Sequence, residues 1–520
     1  MQGSRTQQVM VRPNQPNTLR FQQKLRQNRQ WLYRSLSTTL LISLLLPSGW
    51  NQSAQAQTAP YCQLASTEIG ETTQVHQAAL KGDKDAQRRY KTLIQDHADR
   101  LIRCRSQSWL KTQAIWLRLY PCDVLDGVME EVLDRIVSRG YNAVYVEVFY
   151  NGQVLLPAAQ NRTVWPSVIR TPGYENRDLL AEAIAKGRER GLKVYAWMFT
   201  LNFGYTYSQR PQSQDVLARN GRGDTSLTSR SAGSDVGEVT SDEAFVDPYS
   251  LQAKQDYNSL VQAILQRRPD GMLFDYVRYP RGTGAASVAG GVKDLWIYGP
   301  AAQQALLGRA LNQKGQELIR RFLTQGYLNT GDLSAVNSLY PQEGVPLWQG
   351  RSPSDATNNR PIAGLQSELW RLSVAHAIQG VLDFLATALL PVQQRGIPAG
   401  AVFFPDGNQP VGTQGYDSRL QPWDRFPNTI EWHPMAYGTC GTVDCVVQQV
   451  QRVVSLAPAG TKIQPALAGT WSQSINGRPS LEAQTQAIHQ ASPQINAVSH
   501  FAFSWQEPQY DRDRKFCRLQ

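Results

Sequence analysis

The first 56 residues contain no acidic side chain, although they carry seven basic ones. Over the whole chain of 520 residues, 53 Lys and Arg stand against 42 Asp and Glu, for a formal net charge of +11. Beyond residue 56 the balance is 46 basic to 42 acidic side chains. Because most of the excess positive charge lies in one terminal segment, the composition argues against a nucleic-acid-binding surface on the rest of the chain.

The same terminal segment also lacks an apolar run long enough to span a bilayer comfortably. Its basic part ends near Arg34, and the apolar stretch from Leu36 to Leu46 is short for a membrane span. Pro47 and Gly49 then interrupt the pattern, and Ala54-Gln55-Ala56 is a small-residue cleavage site typical of signal peptides. We therefore predict that residues 1–56 are a signal peptide and that the protein is exported to the periplasm or the extracellular space. An uncleaved leader that anchors the protein in the membrane is the alternative.

The sequence has no CxxC and no HExxH motif, and its six His residues are scattered. We therefore predict neither a metal site nor a cofactor. In an exported chain the six cysteines favour disulfide bonds. Six cysteines can pair in 15 ways, and the sequence does not choose among them. The short spacing of Cys440 and Cys445 favours a local bridge, and Cys62 and Cys104, which flank one helical segment, are the pair favoured next.

No GxGxxG motif follows the first predicted strand, which argues against a dinucleotide-binding open sheet. Instead, short apolar or β-branched runs alternate with longer helical stretches. The runs are 113–119, 142–149, 193–199, 271–276, 400–404, 429–437, 462–469 and 497–505. The helical stretches are 124–139, 178–189, 255–268, 301–325, 365–395 and 483–490. Eight strands in such an alternation predict an α/β fold of the (β/α)8 TIM barrel type, with a doubly wound sheet as the alternative.

The predicted organisation has four parts. After the signal peptide, residues 57–112 form a helical N-terminal extension, residues 113–510 form the barrel, and residues 511–520 form a C-terminal tail. Two polar segments, 208–243 and 326–362, are predicted to be long loop insertions. Loops of this length in a compact domain often have a functional role.

In a (β/α)8 barrel the active site lies at the carboxyl ends of the strands. Carboxylates, aromatic rings and other polar groups stand near the ends of the predicted strands, which predicts that they meet on one rim. The candidates are Glu147, Trp197, Asn202, Asp275, Arg278, Tyr279, Glu431, His433, Tyr437 and Trp505.

Such a mixture suits a carbohydrate, because sugar rings stack on aromatic side chains while their hydroxyl groups need polar partners. Glycosidic bond hydrolysis uses two carboxyl groups, one charged and one often protonated. Asp275 is the candidate for the charged group, because Arg278 follows closely and favours ionisation. Glu431 in its apolar strand and Glu147 are the candidates for the second. A structural Asp275–Arg278 pair and a structural role for Glu431 are the alternatives.

Several segments, taken in order, resemble the glycosyl hydrolase-like 10 family of exported TIM-barrel proteins. They are "AIWLRLY" (114–120), "GYNAVYVEVFYNG" (140–152), "ERGLKVYAWMF" (189–199), "FVDPYS" (245–250), "DGMLFDYVRYP" (270–280) and "IEWHPMAYG" (430–438). The resemblance implies a TIM barrel, a carbohydrate substrate and glycosidase activity. By motif it implies site or site-supporting roles for Trp197, Asp247, Asp275, Arg278, Tyr279, Glu431, Met435 and Tyr437.

Two functions of different classes follow from these patterns. The first is an exported glycoside hydrolase that acts on an envelope or extracellular polysaccharide. The second is a non-catalytic glycan-binding barrel of the cell envelope. In both, the partner is an oligosaccharide or polysaccharide rather than a nucleic acid, and membrane contact is expected only through an uncleaved leader.

Overall fold

A computed structural model of the protein describes residues 61–229, 242–352 and 361–518. The predicted signal peptide lies outside the described residues. Eight parallel strands form one closed sheet, in which each strand pairs with the next and the last pairs with the first. The strands are β1 (Thr112–Leu117), β2 (Ala143–Tyr150), β3 (Lys193–Phe199), β4 (Gly271–Asp275), β5 (Ala399–Phe403), β6 (Glu431–Ala436), β7 (Ala466–Ala468) and β8 (Ala497–Phe501).

Helices connect these strands and cover the outside of the barrel. They are α1 (Ser66–Leu80), α2 (Lys84–Gln107), α3 (Val128–Ser138), α4 (Leu179–Glu189), α5 (Leu251–Leu265), α6 (Pro300–Leu307), α7 (Gln313–Gln325), α8 (Thr330–Leu339), α9 (Ile362–Gln393), α10 (Asp444–Leu456), α11 (Leu481–Ala491) and α12 (Pro508–Lys515). Short helical turns lie at Pro121–Val124, Ala158–Gln160, Tyr205–Ser208, Pro211–Ser213, Gly284–Ser287, Val292–Asp294, Trp423–Arg425 and Phe503–Gln506. The short strand Gln153–Val154 pairs antiparallel with the end of β2, and further short strands at Val288–Ala289, Pro410–Val411 and Gly415–Asp417 form a separate small sheet.

The predicted (β/α)8 TIM barrel is confirmed: each of the eight predicted apolar runs overlaps a barrel strand. The helix pattern differs in several places, and helix α8 (Thr330–Leu339) lies within the predicted loop insertion 326–362. The stretch 301–325 is two helices, because Asn312 caps α7 by accepting a hydrogen bond from the Gly315 amide. Helix α10 was not predicted, although Val446, Val450 and Val453 give it a buried apolar stripe. The unit after β5 has no α-helix, since only the short turn at Trp423–Arg425 separates β5 from β6.

The helical pair α1 and α2 packs against the barrel through buried polar contacts. The Arg105 guanidinium donates hydrogen bonds to the carbonyls of Tyr61 (2.9 Å) and Gly140 (2.5 Å) and to Gln113 Oε1 (2.8 Å). Gly140 has φ of +78°, and a Cβ there would lie 1.8 Å from the Tyr61 carbonyl oxygen. Only glycine therefore allows the chain to approach this closely.

The region between β4 and β5 holds α6 to α9. By length and composition, α9 is the one helix among the described residues that could cross a membrane, and 61% of its apolar window is buried inside the protein. Its buried face includes Val381, Phe384 and Leu385. In this structure α9 is a core helix that covers the barrel wall.

Three disulfide bonds join the six cysteines, and both predicted pairs, Cys62–Cys104 and Cys440–Cys445, are present. The third, Cys122–Cys517, joins the segment after β1 to the end of the chain. Residues predicted to form a tail instead continue helix α12, where the buried Arg514 forms an ion pair with Asp123 at 2.6 Å. The barrel is therefore held to its own C-terminus by a covalent bond and a buried ion pair.

Candidate active site

A cleft of about 440 Å³ opens at the carboxyl ends of the strands, and every barrel strand contributes a side chain to it. On four strands and their extensions the lining residues are two positions apart, as interior-facing positions of a strand must be, whereas Tyr276 directly follows Asp275 at the end of β4. The lining residues are Trp116, Arg118, Glu147, Trp197, Phe199, Asp275, Tyr276, Val402, Phe404, Met435, Tyr437, Ala468, Asn476, Arg478, Phe501 and Trp505.

Asp275 is the last residue of β4, and its carboxylate lies in this cleft. The Trp197 indole donates a hydrogen bond to Asp275 Oδ2 at 3.0 Å, and the Tyr276 amide donates one to Oδ1 at 2.7 Å. Tyr276 has φ of +54°, a conformation that is uncommon for a bulky residue and often found at functional sites. Two N–H donors thus orient the carboxylate.

Glu147 is the second carboxyl group of the cleft, and it is fully buried. The Arg118 guanidinium pairs with it, with Nη2 at 3.2 Å from Oε1 and a closer contact from Nε to Oε2. Burial raises the pKa of Glu147, while the charge and hydrogen bonds of Arg118 oppose that shift. A register shift in the pairing of β2 with β3 occurs between Glu147 and Phe149. Such a bulge re-aims side chains beside it.

Arg278 follows Asp275 in the chain, and its guanidinium contacts two neighbouring residues of the loop after β4. Its guanidinium lies 4.5 Å from the centre of the Tyr276 ring and donates to the Tyr279 carbonyl at 2.8 Å. It is almost completely buried and is not among the residues that line the cleft. Arg278 therefore stabilises the loop after β4 from a buried position outside the cleft.

Aromatic side chains form much of the cleft wall. Trp197 is only 6% exposed, and its indole N–H is hydrogen-bonded to Asp275. Trp505 and Tyr437 are half-buried and stand on the segments that follow β8 and β6. The pKa of Tyr437 is raised well above its usual value, first by burial and then by the nearby charge of Asp275. Tyr437 is therefore neutral and can donate a hydrogen bond.

Two residues predicted for this rim lie elsewhere: Glu431 at the opposite end of the barrel, and His433 in the barrel interior. Glu431 is the first residue of β6, and it shares a separate cavity with Thr112 and Lys193, the first residues of β1 and β3. His433 is buried below it, with Nε2 at 3.5 Å from Glu431 Oε2. A Cβ on Gly400 would lie 2.8 Å from the His433 ring, so the glycine makes room for it.

The prediction that Glu431 faces Asp275 across one cleft is therefore wrong. Its pKa also departs from what a general acid requires. Burial would raise the pKa of Glu431, but the hydrogen bond and charge of His433, with Lys462 and Lys193, lower it overall. His433 is likewise an interior residue rather than part of the substrate cleft.

Three more predicted binding residues are buried outside the cleft. Asn202 Oδ1 accepts from the Gly204 amide at 3.2 Å, which is a local loop contact. Asp247 accepts from the amides of Tyr249 (2.9 Å) and Ala302 (2.8 Å), and burial raises its pKa to about 6. The Tyr279 hydroxyl donates to a main-chain carbonyl of α9 at 3.2 Å. All three side chains hold loops and helices in place.

Two charged residues of the cleft, Arg118 and Arg478, were not among the sequence candidates. Arg118 alternates with Trp116 beyond the end of β1, and this two-residue spacing could have indicated an inward position. Arg478 lies in a loop after β7, where no periodic pattern marks it. Within the residues that the structure describes, no cluster of three or more His, Cys, Asp or Glu side chains is placed to hold a metal ion.

We expect Trp505→Ala to weaken oligosaccharide binding by about 1–3 kcal/mol, because a large apolar face is lost from the cleft wall. Trp505→Phe should recover part of this affinity. Calorimetric titration of both variants at equal folded concentration measures the effect. Unchanged affinity in Trp505→Ala would show that the ring does not contact the sugar.

No family model matches the chain, and no curated protein matches it. The resemblance to the glycosyl hydrolase-like 10 family therefore stays a prediction. Among solved structures, the catalytic domain of a β-amylase from Paenibacillus polymyxa is 12% identical, covers 76% of this chain and 92% of its own, and has a TM-score of 0.42.

Two further solved structures are similar at lower scores. A family 20 exo-β-N-acetylglucosaminidase from Vibrio harveyi is 8% identical, with 79% of this chain and 53% of its own covered and a TM-score of 0.35. A family 18 chitinase from Pseudoalteromonas aurantia is 9% identical, with 78% and 98% covered and a TM-score of 0.33. At these values the similarity says nothing about a substrate or an activity of this chain.

Proposed function

We propose that the protein is an exported glycoside hydrolase that acts on an envelope or extracellular polysaccharide. The observation that carries this proposal is the placement of Asp275 and Glu147 in one aromatic-lined cleft at the carboxyl ends of the strands. A (β/α)8 barrel places its active site at this face. The three disulfide bonds are typical of exported proteins and support the proposed location.

The two carboxyl groups have different surroundings, and this difference suggests different roles. Asp275 accepts hydrogen bonds from the Trp197 indole and the Tyr276 amide, which favour an anion. An anion at this position would stabilise positive charge on the sugar or attack its anomeric carbon. Glu147 is more deeply buried and its pKa is raised, so it is the better proton donor to the departing oxygen.

The Arg118 contact sets a condition on this mechanism. Glu147 is ion-paired with Arg118 in the ligand-free cleft, and the Arg118 side chain is 39% exposed. For Glu147 to hold a proton, a sugar must exchange or weaken that contact. Glu147 itself is already fully buried, so the exposed Arg118 side chain is the part of the pair that a bound sugar can move.

We expect Glu147→Gln to slow the hydrolysis of an unactivated oligosaccharide by about 10²–10⁴-fold, because the leaving oxygen loses its proton donor. Hydrolysis of an aryl glycoside with an acidic phenol leaving group should fall much less, since that group leaves without protonation. Comparing initial rates on both substrates measures the difference. Glu431→Gln, at the far end of the barrel, is the matched control and should keep both rates. Equal losses on both substrates would contradict a general-acid role for Glu147.

A non-catalytic glycan-binding barrel is the second candidate, and the Arg118–Glu147 ion pair favours it. A carboxylate that stays paired with a guanidinium does not donate a proton. Under this alternative, oligosaccharides bind in the cleft without turnover, and Glu147→Gln changes affinity alone. Measurable hydrolysis by the wild-type protein that Glu147→Gln abolishes would exclude it.

A further inference from the structure

Arg478 stands at the cleft on a tight turn between β7 and α11. The turn runs from Ile475 to Arg478, whose main chains exchange two hydrogen bonds of 2.9 Å. Its two central residues, Asn476 and Gly477, have φ of +50° and +70°. Asn-Gly is the preferred pair for such a two-residue turn, because both positions need positive φ. The local sequence therefore fixes the direction in which Arg478 leaves the main chain.

A second loop supports this turn. The Gly441 amide donates a hydrogen bond to the Gly477 carbonyl at 2.9 Å. Gly441 lies in the loop that the Cys440–Cys445 disulfide closes, directly after β6. The Arg478 turn is thus hydrogen-bonded to a loop that is itself closed by a disulfide bond. This contact limits the motion of the turn at the mouth of the cleft.

The positive charge of Arg478 has no carboxylate partner within 4.0 Å among the described residues. Its Nε is buried and makes no hydrogen bond there, and its guanidinium lies 5.6 Å from the centre of the Trp505 ring. Burial lowers its pKa, and only the nearby Tyr437 acts against that shift. Arg118, in contrast, is neutralised by Glu147. A partly buried guanidinium without an anion beside it is costly to a fold.

We propose that Arg478, with Trp505 beside it, is a subsite for an oxyanion substituent of the glycan, a carboxylate or a sulfate on one sugar residue. The sugar ring would stack on Trp505 while the substituent accepts two parallel hydrogen bonds from the guanidinium. Arginine suits this task because its planar fork of donors matches an oxyanion. The inference rests on the proposed function for the glycan itself, and it adds that the glycan is acidic.

The test compares three sugars that differ in one substituent: glucuronate, glucose 6-sulfate and glucose. Binding to the whole protein is followed by ligand-detected NMR and tryptophan fluorescence, neither of which needs turnover. We expect at least one of the two anions to bind more tightly than glucose, and the preferred anion identifies the substituent. Higher ionic strength should reduce that preference, since the contact is electrostatic.

Arg478→Gln should remove the preference for the anion, with an affinity loss of about tenfold to a hundredfold, the value of hydrogen bonds to a charged group. Arg478→Lys keeps the charge without the fork and should recover part of the affinity. Arg371→Gln, an exposed arginine on α9, is the matched control and should leave the preference unchanged. Melting curves establish that all three variants are folded.

Two results would overturn the inference. One is equal binding, or equal absence of binding, of the acidic and neutral sugars by the wild-type protein. The other is an anion preference that survives in Arg478→Gln. Because these measurements do not involve hydrolysis, a protein that binds acidic sugars through Arg478 but hydrolyses none would retain this subsite and refute only the proposed enzymatic activity.

Discussion

Asp275→Asn is expected to lose at least about 10³-fold in hydrolytic rate while its melting temperature stays unchanged or rises. The substitution removes the negative charge that faces the developing positive charge of the sugar and nearly preserves the shape of the side chain. The amide oxygen can still accept a hydrogen bond from Trp197 or from the Tyr276 amide. A site carboxylate is often kept at a cost to stability, which is why the melting temperature is not expected to fall.

Rate and melting temperature should be measured on the same preparation of Asp275→Asn. Asp247→Asn is the matched control, because Asp247 is also buried and accepts two main-chain hydrogen bonds but lies outside the cleft. The control should lower stability and leave the rate of the folded fraction intact. If Asp275→Asn instead loses about 3–5 kcal/mol of stability and its folded fraction stays active, Asp275 is a structural residue.

The stability of the barrel is expected to fall steeply between pH 6.5 and pH 3. Two fully buried imidazoles, His376 and His500, have their pKa lowered to about 3, first by burial and then by the charges of Arg309 and Arg105 respectively. In the unfolded chain each titrates near 6.5, so the unfolded state binds more protons in this range. The stabilisation is therefore complete above pH 6.5 and lost as the pH falls toward 3.

Each of these histidines should contribute about 1.4 kcal/mol per pH unit to the slope of unfolding free energy against pH. The contacts of His376 explain why its ring does not take up a second proton. Nδ1 accepts a hydrogen bond from Arg309 at 2.9 Å, so it has no room for a proton, while Nε2 lies 2.9 Å from the Ala302 carbonyl oxygen. The raised pKa of Asp247, about 6, acts in the opposite direction. Comparison with His→Asn variants separates these contributions.

Denaturant unfolding at several pH values, for the wild type and the His376→Asn and His500→Asn variants, measures these slopes. Each variant should be less stable at pH 7. Its slope of unfolding free energy against pH should also be smaller, by the contribution of about one bound proton. A variant whose slope equals that of the wild type would show that the corresponding histidine does not resist protonation.

The candidate site was partly accessible from the sequence. The motif around Asp275 and the alternation around Glu147 put both carboxyl groups on strands, and the structure places both in the cleft. Glu431 has a similar apolar surrounding in the sequence, yet it begins its strand, whereas Asp275 ends one. Alternation tells which residues share a face of a strand, but it does not tell at which end of the barrel they lie.

The sequence by itself determined the eight strands, since β-branched and aromatic runs separated by helical stretches can bury their apolar side chains in few arrangements. It also determined the Asn476-Gly477 turn, because positive φ at both positions is a local property. Only the tertiary structure decided which polar groups meet. Strand pairing sets the position of each residue along the barrel axis: Glu431 pairs with Gly400, and Asp275 pairs with Phe199. Contacts such as Arg118 with Glu147 and Arg478 with Trp505 arise between distant segments, and closure of the barrel brings them together.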